Sequence, residues 1–414
     1  MISVRGRQLL RTFATLLAAL AVALTGLIGC AKSGDVSSRN SSDPIPVGAI
    51  ISKTGTYASL GAVQEKVFQA EVEKINAAGG IGGRPVKLII EDDGTDESKA
   101  VSAAQKLIER DRVVAILGSS GTGATMAIRQ LVEAAGIPQI SMAGGNVITG
   151  ELSPNVYQTP WTNKLLISNL LKYLQTQGIA KVALVTDSGG YGKDGRAIAL
   201  EEAPAYGISF VEDLTFAPGD TDMSGQVARI KASDAQAIVM WNAGKEAVTI
   251  VNQAKNAGVE LPWYGGSGQA RSEFVDGARN ATEGFVIITG RSYVLEAWDA
   301  GTPERETMDV FYEDAEKYLG EPPDIFAGHA YDALKLFATA AEKVDSAADI
   351  DGASLLAQLD TTAGVVGYGG AFTFSATDHN GLGIDDISLF TMTDGVWTVG
   401  APSADGADGI TNVN

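Results

Sequence analysis

The chain has 414 residues and a formal net charge of −19, with 45% hydrophobic and 20% charged residues. Its acids are dispersed and no basic stripe is available to hold phosphates, which argues against nucleic acid as a partner. Cys30 is the only cysteine, and His329 and His379 are the only histidines, so an internal disulfide is impossible and thiol or histidine-metal chemistry is poorly provided for.

Arg5, Arg7 and Arg11 precede an apolar run from Phe13 to Leu24 and small residues around Gly26, the layout of a secretory signal peptide. At about a dozen residues the run falls short of the roughly 20 that a bilayer-spanning helix needs. Leu27-Ile28-Gly29-Cys30 then resembles the bacterial lipobox, which implies cleavage before Cys30 and acylation of its thiol. Lipidation would also protect a thiol that is otherwise open to oxidation outside the cytoplasm. Residues 31–45 are rich in Ser, Gly, Asp and Asn without a periodic apolar face, and read as a flexible tether. Removing the leader leaves about 385 residues, which at ~100–200 residues per domain suggests two domains.

From Pro46 onward, short β-branched runs alternate with longer amphipathic segments. Val47 to Ile51, Val86 to Glu91, Val114 to Leu117 and Pro138 to Ser141 are predicted strands, and Val63 to Ala77, Ser98 to Arg110 and Ala124 to Ala135 predicted helices. After Val156 to Thr159 a second series begins. Its helices are Leu165 to Gln175, Gly195 to Tyr206, Met223 to Lys231 and Ala247 to Ala257. Its strands are Val182 to Thr186, Ile208 to Leu214, Ala237 to Trp241 and Pro262 to Gly265. Two long helices, Glu304 to Leu319 and Phe326 to Val344, precede a hairpin-like segment, Val365 to Phe374, and a terminal strand pair, Ile387 to Met392 and Val396 to Val399. The alternation implies an α/β fold of two doubly wound parallel-sheet lobes with right-handed crossovers.

Ligands of such sheets sit beyond the carboxyl ends of the strands, where loops enter helix N-termini. Three such loops are rich in small residues: Gly118 to Gly123, Met142 to Asn146 and Asp187 to Gly192. Small residues let backbone N–H groups approach a ligand, and a helix N-terminus favours an anion. A carboxylate is the natural guest. Catalytic signatures are missing, since Tyr191-Gly192-Lys193-Asp194 lacks the features of a phosphate-binding loop, Gly121 to Met126 fails the dinucleotide fingerprint at its third glycine, and no Gly-x-Ser-x-Gly elbow occurs. Asp96 is expected to cap a helix rather than bind calcium, His329 to be a core or pocket residue, and Asp378-His379-Asn380-Gly381 to form a turn. Binding without turnover is the inference, with no cofactor and no metal.

With these residues in hand, the chain resembles the branched-chain amino acid (Leu/Ile/Val) type of solute-binding proteins of ABC importers, of type I periplasmic binding fold. The resemblance rests on Ser52-Lys53-Thr54-Gly55-Thr56-Tyr57, Ile75 to Ile81, Glu91-Asp92-Asp93, Val156-Tyr157-Gln158-Thr159 and Tyr191-Gly192. It implies two lobes joined by three crossings near Pro160, Gly290 and Phe374. Residues 46–160 plus 290–374 would form lobe 1 and residues 161–289 plus 375–400 lobe 2, after a signal peptide over 1–29 and a lipidated tether over 30–45, with 401–414 as a tail. Hinge closure would trap a small carboxylate or amino acid for a membrane permease, in a monomer held by its lipid in the periplasm or on the outer face of the cytoplasmic membrane. A sensory lipoprotein on the same fold is the competing class.

By position, the resemblance implies that the Thr122 hydroxyl and the backbone at Ala143 and Gly145 hold the ligand carboxylate, with Tyr191 and Phe326 as pocket aromatics. Trp161 and Trp241 lie near the cleft edges, where core and crossing roles are equally expected. Leu60 stands where an aromatic is common, Gly145 replaces a hydroxyl residue, and Ser267 occupies the place of the acid that pairs an amino acid's ammonium. Either Asp187 substitutes for that acid or the ligand has no amine. Ile140-Ser141-Met142-Ala143 and Gln158-Thr159-Pro160 also look like the aromatic-acid-binding branch of the same family.

Overall fold

The computed structural model describes residues 43–402. The signal peptide, Cys30 and the tether through residue 42 lie outside the described residues, as does the tail from residue 403.

The first lobe begins with β1 (Ile45–Ile51), α1 (Ala58–Ala77), β2 (Val86–Asp92), α2 (Glu97–Gln105), β3 (Ile116–Gly118), α3 (Thr122–Ala135), β4 (Gln139–Ser141), the single turn α4 (Val147–Gly150) and β5 (Val156–Gln158). Its strands pair in the order β2-β1-β3-β4-β5, all parallel. β1 is buried along almost its whole length, as expected of a parallel strand covered on both faces. Asp96 caps α2 by accepting from the Ser98 and Lys99 N–H groups, and α3 ends on Gly136 at φ +65°, a left-handed position that suits glycine.

The second lobe follows with α5 (Asn163–Thr176), β6 (Lys181–Asp187), α6 (Gly190–Glu202), β7 (Ser209–Phe216), α7 (Ser224–Ala232), β8 (Ala237–Trp241), α8 (Glu246–Asn256), β9 (Trp263–Gly265), α9 (Ser272–Ala278) and β10 (Val286–Gly290). The chain then supplies α10 (Pro303–Leu319), α11 (Ile325–Glu342), α12 (Gly352–Leu359) and the hairpin β11 (Val365–Val366) with β12 (Ala371–Phe372), before β13 (Ile387–Thr393) and β14 (Val396–Val399). α10 and α11 pack on α1 in the first lobe, whereas β13 joins β10 in the second. The second sheet runs β14-β13-β10-β9-β8-β6-β7. It is parallel from β7 to β10 and antiparallel at β13 and β14, so the terminal strand pair completes a parallel sheet with an antiparallel edge. A hairpin of two short strands can return to a sheet without a helical crossover. α9, α12 and β10 were not anticipated from the sequence pattern, being short segments of five to eight residues with too few turns or alternations to show a period.

Trp161 ties the three chain passages between the lobes. Its indole N–H donates to the Gly369 carbonyl at 2.9 Å, and its ring fills the space above Gly290, where a Cβ would come within 1.6 Å of Cζ2. The Asp378 to Gly381 segment is the expected turn, with Asp378 Oδ1 accepting from the Asn380 and Gly381 N–H groups at 2.9 Å. It also covers the open edge of β5: Gln158 N–H donates to the His379 carbonyl at 3.0 Å, and the Asn380 amide donates to the Gln158 and Pro160 carbonyls. Among the described residues no helix is long and apolar enough to cross a membrane.

Candidate ligand-binding site

The loop from Gly118 to Gly121 is held from beneath by one buried carboxylate. Asp93 accepts from Ser52 Oγ at 2.6 Å, from the Thr95 N–H at 2.9 Å and from Ser119 Oγ. Ser120 Oγ accepts from the Ser52 N–H and donates to Gln64 Oε1 at 2.5 Å. So braced, the loop delivers Gly121 as the N-cap of α3, with extended backbone and no side-chain cap. The first N–H groups of α3 therefore have no intrahelical partner, and the helix dipole adds positive potential there. Thr122, the first residue of the helix, is 2% exposed and its Oγ1 is buried with no hydrogen-bond partner.

Thr122 lines a cavity between the lobes that encloses about 430 Å³ of empty space, counted out to open solvent. From the first lobe it is lined by Tyr57, Leu60, Ser120 to Thr122, Met142 to Gly144, and Ile325, Phe326 and His329 of α11; Pro160 and Trp161 line it at the crossing, and Tyr191, Ala243, Ser267 and Gly268 from the second lobe. No carboxylate, lysine or arginine is among the lining residues.

Of the residues singled out from sequence, Leu60, Thr122, Ala143, Tyr191, Ser267 and Phe326 line this cavity. Gly145 does not. It lies against Thr122, and a Cβ there would be 2.3 Å from Thr122 Cγ2 and 2.8 Å from Oγ1, so the hydroxyl residue common at this place would collide with the threonine. Ser267 Oγ is 3.0 Å from Thr289 Oγ1. The Tyr57 ring, at the start of α1, supplies an aromatic wall beside Leu60, and Trp161 closes the cavity at the crossing. Tyr57 belongs to the Ser52-to-Tyr57 motif, which was the available signal for it. Ala243 and Ile325 carried no sequence signal, because small and apolar residues line cavities and cores alike.

The Tyr191 ring stacks at 6.2 Å on Trp241, whose indole N–H donates to Asn163 Oδ1 at 2.8 Å. Trp241 is thus a buried support for the pocket wall. Asn163 Nδ2 in turn donates to Asp194 Oδ2 at 2.7 Å. Asp194, on α6, also accepts from the first-lobe N–H groups of Asn146 at 2.7 Å and Val147 at 3.1 Å. One second-lobe carboxylate therefore caps a first-lobe turn across the cleft. Burial raises the Asp194 carboxyl above its ordinary range, against the lowering effect of these three donors.

Asp187 ends β6 and is 3% exposed. Its Oδ1 accepts from the Gly189 N–H at 2.7 Å, and its Oδ2 has no partner. Burial pushes its carboxyl up to about 6, with the charge of Glu246 adding to the effect. Asp187 does not line the cavity, although its charge reaches the hydroxyls of two residues that do, Tyr57 and Tyr191. His329 is 1% exposed, and burial pushes its imidazole down to about 3, so the ring is neutral at physiological pH.

Two α/β lobes that close on a shared cavity define a two-lobed binding protein. The model of the periplasmic binding protein family matches residues 44–395, and the chain belongs to that family. It is 28% identical over 309 residues to Leu/Ile/Val-binding protein homolog 3 of Brucella melitensis, covering 74% of this chain and 80% of that protein. LivJ of Streptococcus pneumoniae, a branched-chain amino acid transporter substrate binding protein solved with isoleucine, superimposes with a TM-score of 0.75 at 28% identity, over 86% of this chain and 98% of LivJ. A solute binding protein of an ABC transporter from Rhodopseudomonas palustris, solved with benzoate, gives a TM-score of 0.76 over 86% of this chain and 95% of its own, at 23% identity, a likeness of fold alone. The fold is that of type I periplasmic binding proteins, and the role is extracytoplasmic solute binding; nothing in the family or the site points to catalysis.

Proposed function

We propose that this chain captures a small monocarboxylate without an amine, by closure of its two lobes, and presents it to the permease of an ABC importer while a lipid on Cys30 holds it at the membrane. The observation that carries this reading is the buried, unpartnered hydroxyl of Thr122 at the uncapped start of α3, in a residue that lines a cavity whose walls hold no acid. The carboxylate sits at Thr122 and the α3 N–H groups, with the backbone around Ala143 alongside. Leu60, Met142, Trp161, Tyr191 and Phe326 enclose the hydrocarbon. An ammonium in the same cavity would be buried without a counter-charge, at several kcal/mol. The ligand drives closure because it touches both lobes at once and so binds the closed form better than the open one.

One observation favours an amino acid instead: Asp187 Oδ2 is buried and unpartnered close behind the tyrosine wall. A thermal-shift comparison of the purified protein separates the two, using 4-methylpentanoate against leucine and 3-phenylpropanoate against phenylalanine. A ligand at 100 times its Kd adds about 2.7 kcal/mol. Stabilisation by the amine-free acids alone is the expected result. Stabilisation by the amino acids alone, lost in Asp187→Asn, would overturn it and make Asp187 the counter-charge.

A further inference from the structure

His329 is a polar side chain of the cavity wall that this function leaves unused. It sits on α11 one turn beyond Ile325, so that Ile325, Phe326 and His329 share the face that lines the cavity. Its Nδ1 is buried with no hydrogen-bond partner among the described residues. The neighbours that could have satisfied it do not. Trp161 meets the imidazole edge-on at 5.2 Å and spends its N–H on Gly369, Tyr368 meets it edge-on at 6.2 Å, and the Thr159 hydroxyl donates to the His329 backbone carbonyl rather than to the ring. Buried polar groups are nearly always paired, so an orphan on the wall of a ligand cavity calls for a partner that arrives with the ligand.

We propose that His329 is a specificity-determining residue that reads a second, uncharged hydrogen-bonding group on the ligand, so that the preferred cargo is a hydroxylated monocarboxylate. A neutral imidazole offers one N–H donor and one bare nitrogen acceptor. A hydroxyl both donates and accepts, so it can pair with a ring nitrogen in either tautomer, whereas a second ionised group would be buried with no opposite charge among the lining residues. This inference rests on the monocarboxylate reading above, with the carboxylate at Thr122.

Calorimetric titration of the purified protein with 3-phenylpropanoate, its three ring-hydroxylated isomers and the matching uncharged amides tests both layers separately. Wild type is expected to bind at least one hydroxylated isomer about tenfold or more tighter than the parent acid. His329→Phe, which keeps an aromatic ring in place, should erase that preference, read as the ratio of the two affinities measured within the same variant. His329→Gln, which keeps a neutral donor and acceptor, should retain part of it. The inference is overturned if the parent acid binds wild type as tightly as every hydroxylated isomer, or if the preference survives in His329→Phe. Amides that bind as well as acids would defeat the carboxylate reading while leaving the hydroxyl preference standing, and binding of nothing in the panel would defeat both.

Discussion

Asp194 is the side chain whose removal should weaken ligand capture without touching the ligand. Its carboxylate accepts two N–H groups of the opposite lobe, at 2.7 Å from Asn146 and 3.1 Å from Val147, and it does not line the cavity. A hydrogen bond to a charged group contributes about 1.5–3 kcal/mol. Opening the cleft breaks both bonds and lets water replace them, so the net advantage to the closed form is about that of one such bond. Asp194→Ala should therefore raise the apparent Kd roughly 10- to 150-fold, at 1.4 kcal/mol per tenfold, because less of the protein is in the binding-competent form. Most of the change should appear as faster release. Calorimetry gives the Kd, stopped-flow displacement gives the off-rate, and urea titration of the ligand-free protein accounts for the separate loss of the Asn163 bond at 2.7 Å. An affinity within twofold of wild type, in a variant that remains folded, would show that this carboxylate braces the closed state in geometry only.

Gly145→Ser should weaken carboxylate binding by tenfold or more with only a modest fall in Tm, because its Cβ would sit 2.3 Å from Thr122 Cγ2 and a β-branched threonine must rotate or shift to make room; calorimetry with the best acid checks it. His329 is held near 3 against an ordinary 6.5, so its unfolded form binds the proton first, and the stability it permits is full above pH 6.5 and lost as pH falls below it. Between pH 7.5 and 5 that loss is about 2 kcal/mol; urea titrations should show it in wild type and not in His329→Phe, and an equal loss in both would refute it. Cys30→Ser should move the protein from membrane to soluble fractions on cell fractionation, whereas unchanged membrane association would rule out the lipid anchor.

Local pattern made much of the fold legible. Continuous β-branched runs and 3.6-residue periodicity placed β1, β6, β8, α1 and both long helices, because burial on two faces or on one stripe leaves its mark residue by residue. Glycine-rich loops after strands pointed to the carboxyl ends of the sheets, and the family resemblance led to Thr122, Tyr191 and Phe326, all of which line the cavity. The antiparallel attachment of β13 and β14 was not legible, since a strand's direction depends on its partner. Nor was the crowding at Gly145, where a Cβ would meet the Thr122 side chain.

The sequence by itself therefore determined the elements, the two-lobed class and the residue types available to a ligand, all of which depend on chemistry near in the chain. Tertiary structure alone decided which polar groups are left without a partner. Thr122 and His329 lie about two hundred residues apart in the chain, and that both stand unpaired on the wall of one cavity follows only from how α3 and α11 pack, because hydrogen-bond satisfaction is a property of three-dimensional neighbours.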